Sequence, residues 1–311
     1  MTKLKKIEAK LTEQPYVPSS DDATVELRRL VREHAALTRR AVAIENMVSP
    51  RVARQDIPAR GLEKGDEIPC DVPEDARVDA MLLAEDFRKR AEKLESRMLK
   101  QLKLIPVYRL FLANVWGVGP IVAAYLVAEI DITKALKPSS LRMFCGLAVV
   151  DGALVRRTKG TKLPYNGELR TRLFQLFAAM WRNAGGEEVR VDARYIRIWR
   201  DYRNRMANSP RVEGGKIAKI GGKTPQVVSA KGFVHSTGWH KAADVFVTDL
   251  YMVWRAIEGL PVWCPYVAAK LTGYWHASDI EAWQGGRILT VDEALALVGN
   301  VGKEEPAIAA E

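Results

Sequence analysis

The chain is poor in the residues that build metal centres and disulfide frameworks. Its 311 residues include only three cysteines and four histidines. Cys70, Cys145 and Cys264 are far apart, odd in number and free of any C-x-x-C pair. That argues against both a disulfide framework and a zinc site, and for a reducing compartment. His34, His235, His240 and His276 have no carboxylate or cysteine at a matched spacing, so neither a metal site nor a catalytic triad is indicated. Long apolar runs are missing as well. The longest, Ile121 to Ala128, stops at Glu129, well short of the ~20 residues of a membrane span. The N-terminal "MTKLKKIEAKLTEQ" is basic but lacks the apolar stretch of a signal peptide. Period-two alternation is absent before residue 106, which speaks against a sheet there. These absences predict a cytoplasmic, mainly helical chain with no resident metal or cofactor.

What the chain has in plenty is positive charge in its middle. Apolar residues at 48% and charged residues at 28% are ordinary for a globular protein. The formal net charge is +10, yet the segment from Lys134 to Lys223 holds 20 Lys/Arg against 7 Asp/Glu. That segment alone accounts for +13 and leaves the rest of the chain at −3. A basic middle in an otherwise near-neutral chain points to a polyanion partner, DNA or structured RNA.

The pattern along the chain predicts an all-α fold with one small β-hairpin. Residues 1–20 read as a loosely ordered lead, with Ser20 or Asp21 as a helix cap. Leu27, Leu30, His34, Leu37, Ala41, Ile44 and Val48 then step by three and four, the seam of a coiled coil that Pro50 ends. A polar loop rich in Pro and Gly follows. Ala84, Phe87, Ala91, Leu94, Met98 and Ile105 resume the spacing up to Pro106. Residues 21–106 are thus a coiled-coil helical hairpin. Its seam is weakened by His34, Ala41 and Ala91, which favours a homodimer over packing within one chain.

Residues 107–285 form a second, helical domain, and 286–311 a short helix with an acidic tail. Helices are predicted over 107–116, 120–129, 139–145, 166–181, 187–206 and 239–258, and "LTVDEALALV" (289–298) closes the series. Asp151-Gly152 would turn a hairpin within 146–157. "GGKIAKIGGK" (214–223) reads as a flexible basic insertion.

Three features of this domain fit a nucleic-acid backbone. In "VWGVGPIVAA" (115–124), Gly117, Val118 and Gly119 precede Pro120, the signature of a helix-hairpin-helix corner. Glycines at positive φ let a phosphate approach, Pro suits the first helical position, and the free N–H groups beyond it face the anion. Asn166 caps a second helix entrance, with Arg170 and Arg172 in its first turns and Arg156, Arg157, Lys159 and Lys162 just upstream. Arg190, Arg194 and Arg197 form a stripe on a later helix, with Arg203 and Arg205 beyond. Such contacts position a backbone without reading sequence. Asp192 and Asp201, on the same arginine-rich stretch, pair with neighbouring arginines rather than forming a magnesium site.

These stretches carry a family likeness. "VWGVGPIVAAYLVAEI", "SLRMFCGL" and "NGELRTRLFQLFAAMW", followed by "RYIRIWRDYR" and "GWHKAADVFVTDLYMVWRAIEGLPVWCPY", resemble the C-terminal domain of DEDD-type insertion-sequence transposases. Those are the recombinases that use a bridge RNA and are related to the pilin-gene invertase. The likeness covers roughly residues 105–275, and a coiled coil before this domain also fits the family pattern. It implies DNA binding in a context of transposition and recombination at the bacterial nucleoid.

The departures bear on chemistry. The family's RuvC-like domain, which supplies four acidic Mg²⁺ ligands ahead of the coiled coil, has no counterpart here. Asp151 occupies the position expected for the family's catalytic serine. Ser139 and Ser140 lie upstream in another context, and the family's Gly-Asn order is inverted to Asn166-Gly167. The resemblance therefore implies a binder without catalysis of its own: an accessory or regulatory factor, or one part of a split recombinase whose RuvC-like subunit brings Mg²⁺. An active transposase with its catalytic residues elsewhere in the chain, and a coiled-coil interaction protein, are the alternatives.

Overall fold

The computed structural model describes residues 21–48, 72–150, 153–154, 160, 163–186, 193–219, 226–263 and 286–298. The chain divides into two compact units, Ser20–Leu104 and one containing Ile105–Glu311. Helices dominate both. The strands among the described residues form three two-stranded antiparallel ladders.

The first unit is a hairpin of two long helices, α1 (Asp21–Val48) and α2 (Glu74–Leu102). Side-chain pairs across it run in opposite directions along the two helices. Glu26, near the start of α1, meets Arg97 near the end of α2 at 3.2 Å. Glu45, near the end of α1, receives two hydrogen bonds from Arg88 at 2.6 and 2.7 Å. Leu27, Leu30, His34, Ala41 and Val48 are buried as their spacing predicts, and Leu37 and Ile44 are half-buried. Ala84, Ala91, Leu94, Met98 and Leu102 bury the facing side of α2. His34 is only 5% exposed, and its Nε2 lies 3.3 Å from Glu95 Oε1, so its polar end is satisfied within the hairpin. Each buried leucine contributes roughly 1.5–3 kcal/mol, whereas solvent screens the surface ion pairs to little effect. The apolar seam, not the charges, holds the helices together.

The second unit is built around one helix. It opens with the short α3 (Pro106–Leu110) and a 3-10 turn, Leu112–Asn114, then α4 (Pro120–Glu129) and α5 (Pro138–Phe144). The ladder β1 (Val149–Val150) with β2 (Ala153–Leu154) sets Val150 opposite Ala153, the pairing that the expected hairpin requires. Next come α6 (Gly167–Asn183), α7 (Arg194–Ala207), β3 (Lys216–Lys219), β4 (Gln226–Ser229) and α8 (Lys231–Ile257). The last elements are β5 (Val262–Trp263), β6 (Gly286–Arg287) and α9 (Val291–Val298).

Every residue of α8 from Ala242 to Ile257 is buried. A helix that is apolar on nearly all sides belongs in a core, and α3, α5, α6, α7 and α9 pack around it. Phe246 gathers the rings of Phe111, Phe177 and Tyr195, with centroids 6.3, 6.1 and 5.4 Å away. Gly238 lies where a Cβ would come 2.4 Å from Trp199 Cδ1, so only glycine lets α7 approach α8 this closely.

Arg255 is 3% exposed and spends its hydrogen bonds on the backbone. It donates to three carbonyls, those of Pro261 (2.6 Å), Ile132 (3.0 Å) and Ala135 (3.0 Å). Cys145 is buried, and desolvation pushes its thiol up to about 12, so it behaves as a small apolar side chain. No helix among the described residues is long and apolar enough to cross a membrane.

Several expected elements begin or end elsewhere. The helix expected over 107–116 stops at Leu110, because Phe111 leaves helical geometry (φ −126°, ψ −67°). The helix expected from Glu187 starts at Arg194, with Ala193 extended before it (ψ 138°), and residues 187–192 lie outside the described ones. The helix expected from Trp239 starts eight residues earlier, at Lys231. The stretch read as a flexible insertion holds a strand: Lys216–Lys219 pairs with Gln226–Ser229, setting Ile217 opposite Val228. Its glycines lie on either side of the strand rather than within it, and the β-branched residues of the two strands suit the ladder.

Candidate nucleic-acid interface

The corner at residues 115–120 forms as a tight turn. Val118 N–H donates to Val115 O (3.2 Å), and Ala123 N–H donates to Gly119 O (3.0 Å) as α4 begins with Pro120 at its first position. The two glycines do different work, which corrects the expectation that both adopt positive φ. Gly117 has φ +82°, and a Cβ there would lie 2.6 Å from Met180 Cγ on α6. It is glycine because of backbone geometry and packing. Gly119 has φ −80° and ψ 161° and caps α4, and a Cβ placed on it would meet nothing within 4 Å. Open space over Gly119 and the unbonded first-turn N–H groups of α4 leave room for an anion. Val118 between them is half-buried.

The second entrance, at α6, is already used. Asn166 Oδ1 accepts from Glu168 N–H (3.0 Å) and Leu169 N–H (3.1 Å), while its Nδ2 donates to Glu129 Oε2 (2.9 Å). A carboxylate of the protein thus lies at this helix start. Arg172 is held over the Tyr125 ring at 4.0 Å and near Glu168 at 3.7 Å. Arg170 donates to Tyr165 OH (3.1 Å) and lies 5.3 Å from that ring.

The basic helix α7 carries Arg194, Arg197, Arg200, Arg203 and Arg205 against one acid, Asp201. Asp201 pairs with Arg200 at 3.4 Å, as expected of a local ion pair. Arg197 and Arg205 are exposed. Arg203 stacks over Trp181 (5.4 Å) and Arg205 over Tyr202 (4.7 Å), which holds their guanidinium groups in place. Arg194 has its Nε and Nη2 3.2 Å from Asp249 Oδ2, and Tyr195 OH donates to the same oxygen at 2.9 Å. Burial pushes the Asp249 carboxyl up to about 7, against the opposing pull of Arg194 and Tyr195. Arg194 and its neighbours line a narrow crevice with Val115, Trp116 and Met180, so the start of α7 stands beside the glycine corner. The sequence did not reveal this juxtaposition, because the two segments lie far apart along the chain.

Asp151, Arg156, Arg157, Lys159, Lys162, Arg190 and Asp192 lie outside the described residues. Ser139 and Ser140 are exposed in the first turn of α5. Among the described residues, no group of three or more His, Cys, Asp or Glu side chains could hold a metal ion. His235 packs against Trp181 and Trp199, with ring centroids 5.7 and 5.0 Å away, and belongs to the core edge.

Sequence reasoning passed over a second basic group. Arg142 on α5 and Lys241 on α8 both pair with Asp244, the lysine at 3.8 Å, and His240 stands beside them. The available signal was a charged stretch, "HKAAD", at the point where α8 becomes fully buried. No family model matches the chain, and neither a curated protein nor a solved structure is significantly similar to it.

Proposed function

We propose that the chain is a nucleic-acid-binding protein of the transposase type, working in the cytoplasm at the nucleoid without strand-transfer chemistry of its own. The observation that supports this best is α7: five arginines to one aspartate, two of them stacked on aromatic rings, beginning at the crevice next to the Gly119 corner. Stacked guanidinium groups on a rigid helix suit a phosphate backbone. The motifs quoted from residues 105–275 give the transposase class its basis, and the role is that of an accessory factor or of one subunit of a split recombinase. Any Mg²⁺ would then enter with a RuvC-like partner.

The test is gel-shift affinity for duplex DNA and for structured RNA across a salt series. Binding through phosphates releases counterions, so affinity falls steeply as salt rises. Affinity indifferent to salt refutes the reading. A cleavage assay with Mg²⁺ tests the rest: a covalent protein–DNA product from the purified chain alone would make it an active transposase.

A further inference from the structure

We infer that the hairpin self-associates through the face of α2 turned away from α1. Two copies of that helix pack antiparallel about Leu82, and Asp75 of each faces Lys89 of the other. The seam does not serve, because α1 and α2 of one chain already fill it. Leu27, Leu30, Ala91 and Leu94 are buried there, and Glu95 satisfies His34.

The outer face of α2 has an apolar patch of its own. Val78, Met81 and Leu82 recur at i, i+3 and i+4, the spacing of one helix face, and are 42–58% exposed. At about 3.6 residues per turn, Leu82 lies opposite the buried Ala91, so the patch looks away from α1. Leu83 flanks it and is exposed as well. Single exposed apolar residues are ordinary. Four of them within residues 78–83, on a helix whose other side is already buried, mark an interface.

Charge decides what covers the patch. Residues 74–86 of α2 hold five acids and one base, whereas residues 88–102 hold six bases and two acids. A parallel copy would set acid on acid and base on base. An antiparallel copy sets the acidic half of each helix against the basic half of the other, and one twofold axis makes both contacts at once. The helix is thus complementary to its own reverse, which favours a second copy of this chain over an unrelated partner.

Spacing fixes the register. Asp75, Leu82 and Lys89 stand seven residues apart, on one stripe of the helix, with about 10 Å along the axis between neighbours. With Leu82 at the twofold axis, Asp75 of one copy lies level with Lys89 of the other. Asp75 is exposed and makes no ion pair among the described residues. Lys89 is 65% exposed and pairs with Glu85 of its own helix at 2.8 Å. An ammonium has three donors, so it accommodates a second carboxylate.

The test is sedimentation of the full chain carrying charge reversals, with circular dichroism to confirm that each variant is folded. Asp75→Lys and Lys89→Glu should each raise the dimer dissociation constant about tenfold, because each turns two attractions into two repulsions. The chain with both reversals should return to within about threefold of the wild type. Lys89→Glu lies in mid-helix and remains decisive if Asp75→Lys frays the first turn of α2. In a parallel pair each reversal would only exchange one repulsion for another, so single variants that dimerise like the wild type overturn the antiparallel packing. Weakened single variants without recovery in the double one overturn the pairing of Asp75 with Lys89. A wild-type chain that stays monomeric overturns the interface. The inference does not depend on the nucleic-acid reading, and its failure leaves that reading to the gel shifts.

Discussion

Glu129 sets its carboxylate at the start of α6, 2.9 Å from Asn166 Nδ2, so this helix entrance is filled by an anion that belongs to the protein. The two residues tie the end of α4 to the start of α6. Asn166→Ala would leave two N–H groups of α6 uncapped and deprive Glu129 of its donor. Stability should fall by about 1 kcal/mol, within the 0.5–2 range of such caps, as read from urea melts. Nucleic-acid affinity of the folded variant should barely change; a large loss would show that Asn166 touches the ligand.

The two corner glycines should separate stability from binding. Gly117→Ala forces a side chain into φ +82° and against Met180, so it should destabilise by roughly 1–3 kcal/mol. Gly119→Leu enters open space at φ −80° and should cost stability only the difference in helix capping, well below the Gly117 loss, while weakening the gel shift. Full binding by the Gly119 variant would remove the corner from the interface.

Stability against pH should report two buried groups of opposite sign. Asp249 is raised from 3.8 to about 7, so the folded chain holds a proton that the unfolded chain releases, and stability falls as pH rises from about 4 to 7. His240 is lowered from 6.5 to about 4, so the unfolded chain binds the extra proton, and stability rises from about 4 to 6.5. The two slopes oppose each other in the wild type. Asp249→Asn should expose the rising limb and His240→Gln the falling one, in urea midpoints measured from about pH 4 to 8. A falling limb that survives Asp249→Asn would assign it to another group.

The helical hairpin should mediate self-association. Val78, Met81, Leu82 and Leu83 cluster in the first third of α2 and are 42–58% exposed, an apolar patch of the kind that marks an interface. Sedimentation should give the mass of two chains, and Leu82→Glu should reduce it to one. A monomeric wild type would rule out the homodimer.

Local punctuation explains which elements the sequence disclosed. Gly119-Pro120 and Asn166 mark helix starts by steric and capping rules that act within a few residues, and α4 and α6 begin there. The start of α8 was hidden because "KGFVHSTG" is a poor helix former by propensity. Packing overrides that propensity: Gly238 is where Trp199 fits, a fact visible only once α7 lies against α8. The coiled-coil spacing disclosed the hairpin seam but could not say whether the second helix came from the same chain. The pairing of Arg142 and Lys241 with Asp244 was illegible for a simpler reason. Its members come from two helices far apart in the chain, and each alone reads as an ordinary surface or core residue.

Two of the three carbonyl bonds of Arg255 fix the backbone at Ile132 and Ala135, just ahead of α5, and the third holds Pro261 beyond α8. That makes a core guanidinium the brace between the end of α8 and the loop that leads into α5. A lysine there could not span three carbonyls with its compact ammonium. The approach to α5 can therefore be altered from the interior, by a residue that the surface charge map does not show.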